Sequence, residues 1–245
     1  MGGAMMEGLI FRFDAPLMSF GGVKVDQHNV TDRFPGHSLV AGLIANALGW
    51  VHADMGKIQR LQDRLLLASR WDIAPVPIVD YQTVDLGQTK MREAGWTTRG
   101  TPEHRDGGPA AKFGTHQRYR HYLANGVLTT VVALQDDEPP DIFAVEKALA
   151  KPARPLFIGR KACLPSSRIL VGRISGENVL GMLKRIPRLS RSGGNSEGAM
   201  PARWPAGLTA ERPEQVRQVF DMRDWHNQLH TGSRSVAEGL IKEAT

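Results

Sequence analysis

Hydrophobic and polar positions follow two different periods in the first third of the chain. Residues 8–13 alternate between apolar and polar side chains, which predicts a first β-strand. Residues 14–35 form a long polar stretch that is typical of a loop. Residues 37–50 then place apolar side chains on one face of a predicted helix, with Ser38 as its candidate capping residue. A second helix and two short strands are predicted, in this order, over residues 55–68, 69–74 and 78–84.

The middle of the chain breaks this regularity. Residues 86–112 contain five glycines and scattered charges with little periodicity, which predicts an extended excursion or a hairpin. Residues 113–134 contain two strand-like runs on either side of Asn125-Gly126, a dipeptide that is typical of a tight β-hairpin turn. A helix, a strand and a second helix are predicted, in this order, over residues 142–150, 168–174 and 176–186.

These elements follow the order β-α-β-β-α-β with one insertion. This order is the ferredoxin-like arrangement of α+β proteins, whose open antiparallel sheet serves as a platform in RNA-recognition domains. We therefore predict a ferredoxin-like domain over residues 6–189, with the insertion at about 86–120. Residues 190–210 are rich in glycine, serine and proline, so residues 190–245 are predicted to form a flexible linker and a small C-terminal region. That region offers four apolar side chains for docking, Val216, Val219, Phe220 and Trp225.

Composition limits the class of protein. Hydrophobic residues make up 41% of the chain and charged residues 23%, which is normal for a globular protein. No apolar run approaches the roughly 18 residues of a membrane span, so no membrane partner is expected. The single cysteine, Cys163, excludes an internal disulfide and a multi-cysteine zinc site, and it fits a cytoplasmic protein. Dinucleotide-binding, P-loop and metalloprotease motifs do not occur in the sequence, and no cofactor is predicted.

The charge is unevenly distributed along the chain. Residues 88–122 and 151–191 together carry a net charge of +13, the rest of the chain carries −7, and the total is +6. Over residues 151–173 every charged side chain is basic. A field of one sign suits a polyanion, so the sequence favours a nucleic-acid partner over a protein or a small phosphate compound.

Two groups of residues are candidates for a chemical site. His226 and His230, with Asp221 or Asp224, have the residue types of a metal site, but solvent-exposed histidines near the chain end are the favoured interpretation and no metal is predicted. The second group comprises a lysine, two histidines and a tyrosine that could supply acid, base and cation for metal-independent RNA cleavage, namely Lys112, His116, Tyr119 and His121.

Strand alternation argues against this cleavage site. On a predicted strand, Tyr119 and His121 share one face, whereas His116 and Arg118 share the other. A basic strand that contacts RNA without cleaving it, through residues such as Lys112 and Arg118, is therefore the favoured interpretation.

Four stretches of the sequence resemble one known family when they are taken together. They are Ala15-Pro16-Leu17-Met18-Ser19-Phe20-Gly21, Arg33-Phe34-Pro35-Gly36-His37-Ser38, Asp80-Tyr81-Gln82-Thr83-Val84, and Lys151-Pro152 with Pro155-Leu156-Phe157-Ile158-Gly159-Arg160-Lys161-Ala162-Cys163. In this order the chain resembles the CasD family of the RAMP superfamily, which supplies a subunit of the type I-E CRISPR complex Cascade. The resemblance covers most of residues 7–173, with a weaker similarity over 217–225.

The resemblance implies a ferredoxin-like core with a protruding thumb hairpin and a small C-terminal β-rich part. It implies that the chain caps the 5′ handle of the crRNA and contacts the backbone subunit CasC and the large subunit CasA in antiviral defence. Target DNA is a further candidate partner within the complex. Because the separate subunit CasE cuts the precursor in type I-E, a non-catalytic RNA-binding role is implied. Relatives in type I-C cleave RNA themselves, so a metal-independent endoribonuclease acting on CRISPR repeat RNA is the alternative.

The resemblance also implies where RNA is contacted. Family members grip the handle near the first helix, just before and within the thumb, and after the glycine of the fourth stretch, where Gly159 would leave room for a phosphate. His37 replaces a lysine or arginine of many relatives, so that its phosphate contact is expected to be weaker or to depend on pH. With the two residues of the basic strand, the candidate RNA-contacting residues are Arg33, Phe34, Ser38, Tyr81, Lys90, Arg92, Arg99, Lys112, Arg118, Arg160 and Lys161.

Overall fold

The computed structural model describes residues 5–22, 26–85, 95–96, 102–103, 115–190, 198–208 and 213–243. The helices are α1 (His37–Ala47), α2 (Met55–Asp63), α3 (Ile142–Ala150) and α4 (Val179–Arg185), with a 3-10 turn at His52–Asp54. The strands are β1 (Met6–Asp14), β2 (Leu17–Met18), β3 (His28–Asn29), β4 (Leu65–Ile73), β5 (Val76–Asp85), β6 (Gly95–Trp96), β7 (Pro102–Glu103), β8 (Thr115–Ala124), β9 (Val127–Leu134), β10 (Leu170–Gly176), β11 (Met200–Pro205), β12 (Gln215–Val219), β13 (Arg223–Asp224), β14 (Leu229–His230) and β15 (Arg234–Ile241).

Seven strands form a large antiparallel sheet in the order β10-β1-β9-β4-β11-β15-β12. Its interior strand β9 is buried on both faces from Val127 to Ala133, because helices cover the sheet from both sides. Helices α1, α2 and α3 pack on one face with Phe11 and Phe13, whereas α4 packs on the other face, where Met182 joins Val131. The protein is therefore a mixed α+β structure built on one large sheet. Among the described residues, no helix has both the length and the apolar character needed to cross a membrane.

Most predicted elements occur close to their predicted positions. Helix α3 spans the predicted residues 142–150, and α1 begins at His37 as predicted. Helix α2 ends at Asp63, before the predicted limit, because Leu65 and Leu67 already belong to β4 and point into the core. The capping prediction for Ser38 is wrong, since Gly36 is the residue that precedes the first turn of α1 and no side chain caps it.

The hairpin predicted around Asn125-Gly126 is wrong in its pairing. Strand β9 pairs with β1 and β4 in the large sheet, whereas β8 pairs with β5 in a small sheet. Strands β4–β5 and β8–β9 therefore form one long ladder that bends between the two sheets. A Cβ on Gly126 would lie 2.7 Å from a ring carbon of Trp71 and 2.8 Å from the Cβ of Pro75. Glycine is thus required for the close approach at this corner.

The C-terminal strands extend the large sheet. Strand β11 pairs with β4, and β15 pairs with β11 and β12. The predicted linker is wrong at Met200–Pro205, which forms a strand with Ala202 and Trp204 pointing into the core. The glycines and prolines of residues 190–210 make this segment resemble a loop in the sequence. The division of the chain into two domains near residue 190 stays a prediction.

The docking prediction for the C-terminal region is partly confirmed. Val219 is buried and Trp225 packs against the main core, whereas Val216 and Phe220 are exposed. Gln62 of α2 holds this region through its side-chain amide, which donates to the carbonyl of Arg223 and accepts from the Trp225 indole N–H at 2.9 and 3.0 Å.

A fully buried ion pair within β4 contacts the end of α4 through its arginine. The guanidinium of Arg70 lies 2.8 Å from the Asp72 carboxylate and donates to the carbonyls of Leu183 and Ile186. Asp72 also accepts from Thr129 Oγ1 at 2.7 Å. The charges of both groups are compensated, so removal of one partner leaves a buried charge without its counterion.

We expect Arg70→Met to lower the free energy of unfolding by about 3–5 kcal/mol, because it leaves the buried Asp72 carboxylate unpaired. Arg60→Met is the control, since Arg60 forms an exposed pair with Glu138 at 3.9 Å, and it should cost about 0–1 kcal/mol. Urea unfolding measured by circular dichroism tests this pair of variants. Equal losses in both would contradict the assigned role of the buried pair.

Candidate nucleic-acid interface

The small sheet separates its side chains into two chemically different faces. Strand β8 lies at its centre, with β5 on one side and the short strands β2 and β3 on the other. Because side chains alternate along a strand, Arg118, Arg120 and Tyr122 point to one face of β8, whereas Tyr119 and His121 point to the opposite face. We call these the arginine face and the ring face.

The arginine face lines an open cleft of about 480 Å³. Its residues are two arginines of β8, the loop cations that follow Gly159, and neighbouring polar and aromatic groups, namely Asn29, Arg118, Arg120, Tyr122, Arg160, Lys161 and Ala162. Asp80 faces Arg120 in the register of β5 and β8, but its carboxylate accepts from Gln82 Nε2 at 2.6 Å. Within the described ranges, none of the four cations of this cleft forms an ion pair. Such a cleft favours an anionic ligand.

The guanidinium of Arg160 donates its hydrogen bonds to the protein's own main chain. It donates to the main-chain carbonyls of His121 at 3.1 Å and Asn29 at 2.8 Å, and it lies over the Tyr122 ring at 4.6 Å. It therefore ties β3 to β8, while no carboxylate of the described residues forms an ion pair with it. Lys161 beside it is exposed.

Glycine is required at position 159 for a structural reason that differs from the expected one. Its φ of +87° favours glycine, and a Cβ there would lie 1.6 Å from the carbonyl oxygen of Ser19. The close approach is thus made to the chain itself, and the expectation that the missing side chain leaves room for a phosphate is wrong.

The ring face carries three aromatic side chains in a row across three strands. His28 of β3 stacks on Tyr119 of β8 with ring centroids 4.7 Å apart and an angle of 12° between the rings. Tyr119 in turn packs against Tyr81 of β5 at 4.9 Å and 32°. His121 lies near His28, with a centroid distance of 6.3 Å. Sequence reasoning missed His28, because only the two-residue pairing of β3 with β8 brings this loop residue to the sheet.

The predicted cleavage cluster does not assemble as proposed. His116 and Tyr119 are three residues apart on β8 and therefore point to opposite faces of the small sheet. Lys112 lies outside the described residues, as do Lys90, Arg92 and Arg99 of the predicted thumb. Among the described residues, His28 and His121 are the histidines that share a face with Tyr119.

The loop before α1 is held by the buried guanidinium of Arg203. Arg203 of β11 makes two 3.0 Å hydrogen bonds to the Asp32 carboxylate and one of 2.6 Å to Glu238. Burial alone would raise the pKa of Asp32, but the hydrogen bonds and positive charge of Arg203, with smaller contributions from Arg33 N–H and Arg217, hold it below its usual value. This network fixes the position of the residues that follow Asp32.

The predicted contacts at this loop differ in their exposure. The Arg33 side chain is exposed. Phe34 is 1% exposed and packs against Trp71, which contradicts a contact between its ring and RNA. Ser38 is half-buried and lines a second, larger cleft of about 620 Å³ between α1 and the C-terminal strands, but its main-chain N–H donates to the carbonyl of Asp221 at 3.0 Å.

Several cations of the basic segment 151–191 have structural partners. Arg154 donates to Asn46 and to the carbonyl of Trp50, and Arg188 donates to the carbonyl of Asp72. Arg173 forms ion pairs with two glutamates, at 3.7 and 3.8 Å. The run of positive charge in the sequence therefore does not form a single surface, and only part of it belongs to the arginine face.

The residues considered for a metal site have other partners. Asp221 pairs with Arg234 at 2.7 Å, and the Asp224 carboxylate accepts from the main chain of His226 and Asn227. In the part of the chain that the structure describes, no three metal-ligating side chains gather into a group.

Comparison with known proteins decides the family. Residues 8–237 match the family model described as CRISPR-associated protein (Cas_Cas5). The chain belongs to this family. It is 28% identical over 176 residues to the CRISPR system Cascade subunit CasD of Escherichia coli (strain K12), which covers 69% of this chain and 71% of that protein. The resemblance found in the sequence is thereby confirmed.

Two solved structures share the fold of this family member. One, described as a CRISPR RNA-guided surveillance complex, contains a chain with a TM-score of 0.67 and 20% identity, covering 96% of this chain and 90% of that one. The other, a crystal structure of a Cas protein, gives a TM-score of 0.63 and 21% identity over 96% and 95% of the two chains. Both likenesses support the mixed α+β architecture.

His37 is a buried neutral imidazole rather than a cationic contact. Its side chain is 7% exposed at the start of α1. Burial, helped by the positive charge of Arg234 and opposed by Asp221, lowers the pKa of His37 to about 3. The expected pH-dependent phosphate contact is therefore wrong, because the ring stays uncharged at neutral pH.

The same burial predicts a pH dependence of stability. The unfolded chain protonates His37 below pH of about 6.5, whereas the folded chain does not until about pH 3, so stability is full above 6.5 and falls towards 3. Within this window we expect His37 to contribute a slope of about 1.4 kcal/mol per pH unit. Urea unfolding at several pH values should show that His37→Gln loses this pH dependence of the free energy of unfolding, whereas the exposed control His52→Gln keeps it. An identical pH profile for wild type and His37→Gln would refute the role assigned to His37.

Proposed function

We propose that this protein is an RNA-binding subunit of a Cascade-type CRISPR surveillance complex and holds the crRNA 5′ handle. Membership in the family and the similarity to the Escherichia coli Cascade subunit CasD support the setting. The main observation in support of RNA binding is the arginine face. Its four cations line one cleft and form no ion pairs within the described ranges, namely Arg118, Arg120, Arg160 and Lys161. Phosphate groups of a single strand are the anions that such a cleft would take in this setting.

The order of four neighbouring strands in the large sheet supports a ferredoxin-like core. Strands β10, β1, β9 and β4 are neighbours in this order, all antiparallel, with helices between β1 and β4 and between β9 and β10. This is the connectivity that the β-α-β-β-α-β order predicts. Strands β5 and β8 lead into and out of residues 86–114, which supports assigning the thumb to this segment. The arginine face would then stand at the base of the thumb.

The RNA-contacting residues are assigned different roles in this proposal. Arg118, Arg120 and Lys161 would contact phosphates, and the exposed Arg33 would add a contact outside the arginine face. Arg160 would act mainly as a positioning residue, because its guanidinium already holds β3 and β8. The thumb contacts by Lys90, Arg92, Arg99 and Lys112 stay part of the proposal on the resemblance alone.

The partners follow from the same resemblance. Besides the crRNA, we infer docking to the backbone subunit CasC and the large subunit CasA, with target DNA as a further partner in the assembled complex. Exposed apolar side chains at the C-terminal edge, such as Val216 and Phe220, are available for a subunit contact. Purification of the complex with and without this chain would test whether it is required for assembly.

We expect replacement of Arg118 and Arg120 by alanine to weaken binding of 5′ handle RNA and to flatten its salt dependence. Each lost phosphate contact changes the slope of log K against log salt by about 0.7 for a single strand, so the double variant should change it by about 1.4. Fluorescence anisotropy over a salt series measures this slope.

A charge-matched control separates the arginine face from a general charge effect. Lys57 and Arg60 are exposed cations of α2, and Lys57→Ala with Arg60→Ala removes the same charge from another surface. This control should keep the wild-type slope. Equal slopes for wild type and the Arg118/Arg120 variant would reject the arginine face as the RNA site.

The alternative, a metal-independent endoribonuclease, has one observation in its favour. His28, His121 and Tyr119 share the ring face, and imidazole and phenol groups can act as acid and base. Incubation of repeat RNA with the purified protein in EDTA separates the two functions. We expect intact RNA, whereas a discrete cut that disappears in His28→Ala or His121→Ala would establish the endoribonuclease.

A further inference from the structure

The outer edge of β5 presents main-chain groups to solvent. In the part of the chain that the structure describes, β5 pairs with β8 alone. On β8, the N–H of Tyr119 donates to the carbonyl of the residue before β3 at 3.0 Å and the carbonyl of His121 accepts from Arg160, so both residues turn their main chain away from β5. Residues opposite each other in an antiparallel ladder exchange either both hydrogen bonds or none. Tyr81 and Val79, which lie opposite Tyr119 and His121, therefore direct their N–H and C=O groups to the open edge.

The side chains of this edge lack the charges that commonly keep edge strands apart. Native edge strands are kept short or carry charged residues, prolines or bulges, because an open edge is a template for another strand. Strand β5 has ten residues, and the side chains exposed between positions 76 and 84 are all uncharged. The one charged residue in this range, Asp80, is half-buried and accepts a hydrogen bond from Gln82. Pro77 lacks an N–H, so the edge is able to pair from Val79 onwards.

The sequence of β5 is complementary to itself in one antiparallel register. When Tyr81 lies opposite Tyr81 of a second copy, Asp80 lies opposite Gln82, and Ile78 lies opposite Val84. A two-fold axis repeats each of these pairs. The carboxylate thus meets an amide that can donate to it, and apolar side chains meet each other. A register centred on Asp80 would instead place two carboxylates opposite each other, which is unfavourable.

We propose that the β5 edge binds a second copy of this chain, in a symmetric dimer in which Tyr81 lies opposite its own counterpart. Val79, Tyr81 and Thr83 of each copy exchange main-chain hydrogen bonds with the other copy, so that the two small sheets become one continuous sheet. The paired tyrosines join the rows of rings on the two ring faces. This inference concerns the chain without RNA and does not depend on the proposed function.

The arginine faces determine how this dimer responds to salt. Residues opposite each other in a ladder point to the same side of a sheet, so the arginine faces of both copies lie on one side. Strand spacings of about 4.8 Å separate the two β8 strands by about 14 Å, because two β5 strands lie between them. Arg118 and Arg120 of the two copies repel one another at low salt, and salt screens this repulsion. The dimer therefore becomes tighter as salt rises, whereas RNA binding becomes weaker.

Sedimentation equilibrium of the full-length protein, freed of nucleic acid by nuclease treatment and a high-salt wash, measures this association. The apparent mass is expected to rise from 26.9 kDa towards twice this value with protein concentration, and to do so at lower concentrations in high salt. A mass of 26.9 kDa at every concentration, or a dimer that dissociates as salt rises, would overturn the proposal.

Opposite charges at position 81 test the register. Tyr81→Lys places two ammonium groups opposite each other and Tyr81→Glu places two carboxylates there, so each variant alone should raise the dimer dissociation constant by about 10-fold or more. An equimolar mixture of the two variants should recover the dimer, because the heterodimer places lysine opposite glutamate. Unfolded variants could not produce this recovery.

A matched control separates the β5 edge from other surfaces. Val216 is 59% exposed on β12, at the edge of the large sheet, and Val216→Lys adds the same charge there. This control should dimerise as the wild type does. If Val216→Lys abolishes the dimer while Tyr81→Lys leaves it unchanged, the copies pair through the large sheet and the β5 site is overturned. A mixture of Tyr81→Lys and Tyr81→Glu that associates no better than either variant alone would also overturn it.

Discussion

The close approach of Gly126 to Trp71 and Pro75 is the constraint on which both sheets depend. At this point the long ladder leaves the large sheet, where it is buried on both faces, and enters the small sheet, where β5 is exposed along most of its length. Trp71 also reaches the loop before α1, because its indole N–H donates to the carbonyl of Arg33 at 3.1 Å and its ring packs against Phe34. A single buried side chain therefore sets the direction of the small sheet and the position of the loop beside it.

Arginine has two uses in this protein, and they depend on what its guanidinium faces. Where it faces main-chain carbonyls, as for Arg70, Arg154 and Arg160, it joins segments that are far apart in the chain. Its planar fork of five donors suits this role better than the single ammonium of lysine. Where it lines the open cleft and forms no ion pair within the described residues, as for Arg118 and Arg120, it is available to a ligand. The number of basic residues in a segment consequently overstates the charge that the segment presents.

The elements that local periodicity encodes could be predicted, whereas contacts between distant segments could not. Helix α3 and strand β1 appear where their apolar spacing places them. The pairing of β8 was misjudged, because Asn125-Gly126 has the composition of a hairpin turn but serves a sheet corner. At the site, Arg118 and Arg160 were recognised from charge and resemblance. His28 could not be, since its contact with Tyr119 spans many residues of sequence, and the burial of Phe34 depends on Trp71 in the same way.

The alternation along β8 has a consequence for how this strand can change in evolution. Arg118, Tyr119 and Arg120 reach different faces only because each is one residue from the next. A substitution alters one contact, but insertion or deletion of a single residue on one side of this group would turn the following side chains to the opposite face. Tyrosine would then stand where phosphates are expected, and arginine where rings stack. The length of this strand is therefore as much a part of the binding information as its amino acids, and changes in it are expected to be tolerated mainly in steps of two.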